Sequence, residues 1–207
     1  MRDIYLYEDC NVLKNLLHIK DKALLDDAEA DYVTYRLKEI ARNPLPGSYD
    51  YKHLLEVHKY IFQDIYEWAG QSRKLNIYKE EPVLGGISID YSDMLSISKD
   101  AEDILRVMRG KSWDDMNKHE TALQFEDSLA KLWRVHPFRE GNTRTIVTFC
   151  CQYADEIGLH LNRDLFGNNA QYVRTALVAY NAVFEDLGDL SKKEYLLKIV
   201  EDAVMGG

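Results

Sequence analysis

The sequence has 207 residues, of which 46% are apolar and 29% charged, an ordinary balance for a globular chain and too rich in Leu, Ile and Tyr for a disordered one. A net charge of −9 with no Lys or Arg block works against nucleic-acid binding, although it leaves room for a local basic pocket. The apolar runs are short and MRDIYLYEDCNVLKNLLHIK has no apolar core with a small-residue cleavage site, so neither a membrane span nor a signal peptide is expected, and the cytoplasm is the expected compartment.

The length suits one domain over residues 1–207. Apolar residues recur at spacings of three and four along most of it, which predicts an all-α, mainly helical fold. DKALLDDAEADYVTYRLKEIARN gives a first helix with Val33, Leu37, Ile40 and Ala41 on one face, stopping at Asn43 before Pro44. YDYKHLLEVHKYIFQDIYEWAG groups Leu54, His58, Ile61, Phe62 and Ile65 and is expected to run to Gly70, with His58 a structural histidine at the edge of the core. SRKLNIYKEEPVLGGISIDYS breaks the pattern. Leu75 and Ile77 alternate, Pro82 and Gly85-Gly86 intervene, and Ile87 and Ile89 alternate again, so a small β-hairpin is expected there.

Helices over about 92–109 and 113–134 follow, the second with Phe125, Leu129, Leu132 and Trp133 in register. Another covers about 143–157 with Ile146, Phe149, Cys150, Tyr153 and Ile157 apolar, and two more cover about 169–187 and 191–204. Cys10, Cys150 and Cys151 have no CxxC or zinc spacing and read as small reduced hydrophobes.

The stretch HPFREGNTRT, residues 136–145, links two of these helices. In its second half Gly141, Asn142, Thr143 and Arg144 form a helix start, where free N–H groups and the positive dipole end suit a phosphate. Arg144 can add a charge-assisted fork, and Glu140 can hold a magnesium ion that also bridges phosphate. His136 beside such a cradle can accept a proton from an attacking hydroxyl as a general base. Phe138 reads as an anchor driven into the core. Taken singly, each residue also suits a capped interhelical turn with a solvated Arg and Glu.

Together they resemble the signature of the Fic-domain family, His-x-Phe-x-(Asp/Glu)-Gly-Asn-Gly-Arg-x-x-Arg, with His136, Phe138, Glu140, Gly141, Asn142 and Arg144 matching. NPLPGSYDYKHLLEVHKYIFQDIYEWAG is similar to the family's upstream helix and SRKLNIYK to its flap, so the resemblance covers about residues 28–165. It implies a protein adenylyltransferase that moves AMP from ATP, with Mg²⁺, to a Ser, Thr or Tyr hydroxyl of a target protein. By the same resemblance His136 is the base, Glu140 holds Mg²⁺, and Gly141, Asn142, Thr143, Arg144 and Lys79 hold the nucleotide. Phe138 anchors the loop, and Ile77 and Lys79 lie on the hairpin flap that docks the target by strand addition. Lys79 reads equally well as a solvated hairpin charge.

Two positions depart from the signature: Thr143 stands at the second Gly and Val147 at the last Arg. Relatives that transfer UMP, phosphocholine or phosphate supply a second reading, and a degenerate domain that binds nucleotide or protein without turnover a third. The family's inhibitory Ser/Thr-x-x-x-Glu-Gly/Asn pattern has one near match, Ser98 to Glu102, followed by Asp103 and placed after the flap. A built-in inhibitor is therefore not expected, while a separate small antitoxin and a homo-oligomer stay open.

Overall fold

The computed structural model describes residues 3–206. After an N-terminal segment that closes on itself through a Leu6–Leu13 bridge, α1 spans Lys22–Arg42, capped by Asp21, whose carboxylate accepts the Leu24 N–H. Leu25, Val33 and Ile40 are buried along it, whereas Ala41 is exposed, so the inward face is rotated from the one expected. α2 covers Tyr51–Phe62 and buries Leu54, His58, Ile61 and Phe62. It ends eight residues short of Gly70. Residues 63–70 continue the apolar spacing as consecutive turns, with the Ile65 and Tyr66 N–H groups sharing the Phe62 carbonyl, which is why periodicity alone reads them as helix.

The excursion over residues 71–92 holds no backbone ladder. Its first arm has the exposure alternation of a strand, with Leu75, Ile77 and Lys79 half-buried and Asn76, Tyr78 and Glu80 exposed. The arms are joined through side chains instead. The Lys79 N–H donates to Ser88 Oγ, the Tyr78 hydroxyl to the Gly86 carbonyl, and the Asn76 amide to Asp93. A 3₁₀ turn at Pro82–Leu84 forms its tip, closed by Gly85 at φ 66°. The small antiparallel hairpin of this fold lies elsewhere, β1 (Val183–Phe184) against β2 (Gly188–Asp189).

α3 (Ile97–Arg109) begins later than 92 because Asp93 and Asn76 hold residues 93–96 in a turn. α4 (Lys118–Val135) also starts late, at an Asn117–Glu120 capping box, and residues 113–115 form a separate 3₁₀ turn. α5 (Asn142–Glu156) follows the motif, and a short α6 (Asp164–Asn168) precedes α7 (Ala170–Tyr180). α7 stops at Tyr180, well before residue 187, because the β1–β2 hairpin intervenes before α8 (Glu194–Met205). Thus the mainly helical class with one small hairpin holds, while the expected hairpin segment is an extended loop.

α4 lies at the centre and packs against α3, α5, α7 and α8. It therefore buries residues on several sides, Phe125, Glu126, Leu129, Ala130 and Trp133 among them. α2 and α5 pack on each other, and Phe138 of the motif loop is buried in the same core. Cys150 and Cys151 are buried free thiols, whose pKa values burial pushes up, to about 12 for Cys151. Among the described residues no helix is long and apolar enough to cross a membrane.

Candidate functional site

The motif loop is held rigid by three devices. His136 ends α4 in the left-handed region at φ 51°, which turns the chain back sharply. Asn142 then closes the loop upon itself. Its Oδ1 accepts the Phe138 N–H at 2.9 Å and its Nδ2 donates to the Phe138 carbonyl at 2.8 Å, so this side chain shapes the loop. Finally, Phe138 is fully buried and stacks on His58 with ring centroids 3.7 Å apart.

His58 does more than line the core. Its Nδ1 accepts the Gly70 N–H at 2.8 Å, which puts the proton on Nε2, and Nε2 donates to the Glu140 carbonyl at 3.1 Å. Burial pushes its pKa down to about 3, so the ring stays neutral and clamps the motif backbone to α2. Gly141 completes the turn at φ 81°, and a Cβ there would sit 2.2 Å from the Phe62 ring. Close packing, as well as backbone conformation, therefore demands glycine.

His136 is 3% exposed. Its ring lies 4.2 Å from that of Tyr91 and edge-on to Trp133 at 5.2 Å. Burial, reinforced by the positive charges of Lys79 and Arg73, holds its pKa well below the ordinary value, so the imidazole is neutral. Glu140 carries the opposite balance. Burial tends to raise its pKa, but Lys79, the Gly141 N–H and Arg144 outweigh it and keep the carboxylate ionised. Lys79 Nζ stands 3.9 Å from Glu140 Oε2 and Arg144 3.8 Å from Oε1, while Oε1 accepts the Gly141 N–H at 2.9 Å. Lys79 thus reaches the site despite the missing ladder, and burial lowers its pKa against the pull of Glu140. Ile77 is half-buried on the same arm.

Arg144 has a partner that the sequence reading did not single out. Its Nη2 donates to Glu29 Oε1 at 2.6 Å, its guanidinium lies over the Phe62 ring, and the Tyr66 hydroxyl donates to the other Glu29 oxygen. Glu29 lies four residues from Leu25 and four from Val33, on the buried stripe of α1. A carboxylate in that stripe was the available signal. Arg73 was also missed. Fully buried, it donates to the carbonyls of His136 (2.9 Å), Leu75 (2.7 Å) and Ser92, while its N–H donates to the Pro137 carbonyl (2.8 Å), joining the motif to the extended loop. A buried arginine spent on backbone carbonyls leaves no periodic trace.

Thr143 turns its hydroxyl toward α4, where it accepts the Trp133 indole N–H at 2.9 Å. Val147 is half-buried against the core. Beside Glu140 a cavity of about 420 Å³ opens, lined by Leu13, Leu25, Glu29, Tyr66 and Arg139 among others. The described residues contain no cluster of three or more metal-ligating side chains, so a divalent ion here would have the Glu140 carboxylate and substrate oxygens. That donor set matches magnesium, which takes one or two carboxylates and completes its shell with phosphate and water.

The chain is 32% identical over 163 residues to the protein adenylyltransferase VbhT of Bartonella schoenbuchensis, covering 78% of this chain and 33% of VbhT, so it spans about a third of that protein's length. To the probable protein adenylyltransferase y4lH of Sinorhizobium fredii it is 30% identical over 167 residues, covering 78% of this chain and 80% of the relative. Its fold matches the BepC protein of Bartonella tribocorum, solved with bound AMPPNP, at a TM-score of 0.78 and 21% identity, over 96% of this chain and 95% of that one. The model of the Fic/DOC family matches residues 48–154, from the start of α2 through the motif to α5, and the chain belongs to that family.

Proposed function

We propose that the chain transfers AMP from ATP to a hydroxyl side chain of a target protein. One observation carries this reading: a loop closed on itself by Asn142 holds the buried His136 imidazole and the start of α5 together, with Lys79 and Arg144 beside Glu140. His136 accepts the hydroxyl proton as the oxygen attacks the α-phosphorus, and pyrophosphate leaves. The N–H groups at the start of α5, with Gly141, Thr143 and Arg144, hold the phosphates, and Lys79 adds a second positive charge. Glu140 holds Mg²⁺, which neutralises phosphate charge when bound. The extended arm with Ile77 and Lys79 is the docking edge for a target segment, supported by its strand-like alternation.

A second reading, Fic-type transfer of another group such as UMP, phosphate or phosphocholine, is favoured by Val147 in place of a phosphate-facing arginine. Labelling of lysate proteins with α-labelled and γ-labelled ATP separates the two. Label is expected from the α-position alone, and His136→Ala is expected to lower it by about 10²- to 10⁴-fold, the span of general-base catalysis. Label from the γ-position alone means phosphate transfer, and label from neither removes the adenylyltransferase reading.

A further inference from the structure

A general base is ordinarily oriented by a hydrogen bond on the ring nitrogen that does not react. His136 lacks this arrangement, since among the described residues neither Nδ1 nor Nε2 has a hydrogen-bond partner although both are buried. Two aromatic rings pack on it. Trp133 meets it edge-on from within α4 and is fixed in the core, fully buried. Tyr91, half-buried at the end of the extended loop, covers the ring at 4.2 Å with the planes tilted by 35°. The orientation of the imidazole therefore depends on where Tyr91 is held.

That place is fixed by an ion pair across the molecule. Glu81, fully buried at the tip of the loop, receives both Nη groups of Arg174 on α7, at 2.8 and 2.9 Å. The Tyr91 hydroxyl donates to the same carboxylate at 3.4 Å. A bidentate pair of this kind carries geometric as well as electrostatic specificity. With one partner removed, the other becomes an uncompensated buried charge that would leave for solvent, whereas a neutral pair of similar volume can stay. Glu81 would then carry its loop, and Tyr91, away from the imidazole.

We propose that Tyr91 is a positioning residue for His136, doing by ring packing what a hydrogen bond does elsewhere, and that the Glu81–Arg174 pair holds Tyr91 in place. This rests on the reading of His136 as the base. Two measurements test it on the full chain. One is the rate at which diethyl pyrocarbonate modifies His136, followed by peptide mass spectrometry. The other is transfer kinetics from ATP to the most strongly labelled lysate protein.

Tyr91→Ala, in protein shown to be folded, is expected to speed modification of His136 by about 10-fold as the covering segment opens. It is also expected to lower kcat by about 10- to 100-fold with KM for ATP nearly unchanged, since a misplaced base affects the transition state and leaves the phosphate contacts intact. Tyr91→Phe keeps the ring and should recover most of both. Arg174→Met should behave like Tyr91→Ala, and adding Glu81→Gln should reverse that by removing the stranded charge. Equal modification and kcat in wild type and Tyr91→Ala would overturn the assignment, as would a Tyr91→Phe variant as impaired as Tyr91→Ala. An Arg174→Met variant that matches wild type would remove the ion pair from it. If the wild type transfers nothing, the functional reading fails, while the modification rates still decide whether Tyr91 covers and fixes the imidazole.

Discussion

At Gly141 two independent constraints coincide, a left-handed φ of 81° and a Phe62 ring that an added Cβ would meet at 2.2 Å. Alanine must accept about 1–2 kcal/mol for the backbone and a similar cost for crowding a packed core. Gly141→Ala is therefore expected to lose about 3 kcal/mol, a fall of roughly 6–12 °C in Tm for a chain of this size, readable by differential scanning calorimetry. An unchanged Tm would show that the loop can move away from α2. The residue types of HPFREGNTRT were open to sequence reading because a histidine, a carboxylate, a tight turn and a guanidinium stand between positions 136 and 144. The division of labour among them was not. Asn142 gives its whole side chain to the loop and Thr143 its hydroxyl to Trp133, assignments that depend on what α4 presents across the turn.

Among the elements, α1 contributes more than packing. Arg144 is the guanidinium proposed above to hold a phosphate, and α1 occupies it with Glu29. A phosphate entering at the start of α5 has to break that charge-assisted bond. Glu29→Gln keeps an acceptor for the Tyr66 hydroxyl and removes the charge, leaving Arg144 about 1–2 kcal/mol easier to recruit. ATP is then expected to bind roughly 5- to 30-fold more tightly in calorimetric titration with Mg²⁺. Equal affinity in both proteins would show that the phosphates do not use Arg144. The extended loop illustrates the converse. Its alternating residues announce extended backbone, but a ladder needs partner N–H and C=O groups in register, and here Arg73 takes the Leu75 and Ser92 carbonyls and Ser88 the Lys79 N–H first.

Across the whole molecule, the central helix α4 carries one carboxyl group where it meets α8, the nearly fully buried Glu126. Burial pushes its pKa up to about 7, with Asp127 and Glu201 adding to the rise against Lys193, and its Oε1 has no partner among the described residues. A carboxyl whose folded-state pKa is raised costs nothing below its unfolded value. The cost grows as pH climbs through the folded value. Glu126→Gln should therefore leave stability unchanged near pH 4.5 and raise it above pH 7, by about 3 kcal/mol at most from the size of the shift. Urea titrations at the two pH values check this, and a gain independent of pH would assign the effect to packing instead. The −9 net charge acts in the same direction, since self-repulsion also grows as carboxylates ionise.

Composition and apolar spacing were enough for a mainly helical chain, because a buried helical face must repeat every three to four residues wherever it packs. The motif loop was located by its residue types and by their likeness to the family signature, which are legible because the motif lies within ten residues of sequence. Helix ends were set by competing local bonds: the turns after Phe62, the Asn117 capping box and the hairpin after Tyr180. What only the tertiary structure decided is who partners whom across distance. Glu29 meets Arg144 from 115 positions away, Arg174 meets Glu81 from 93, and Arg73 reaches His136 from 63. Each of these pairs joins polar groups whose spacing in sequence follows no period, and they meet because packing the apolar faces of the helices brings them together.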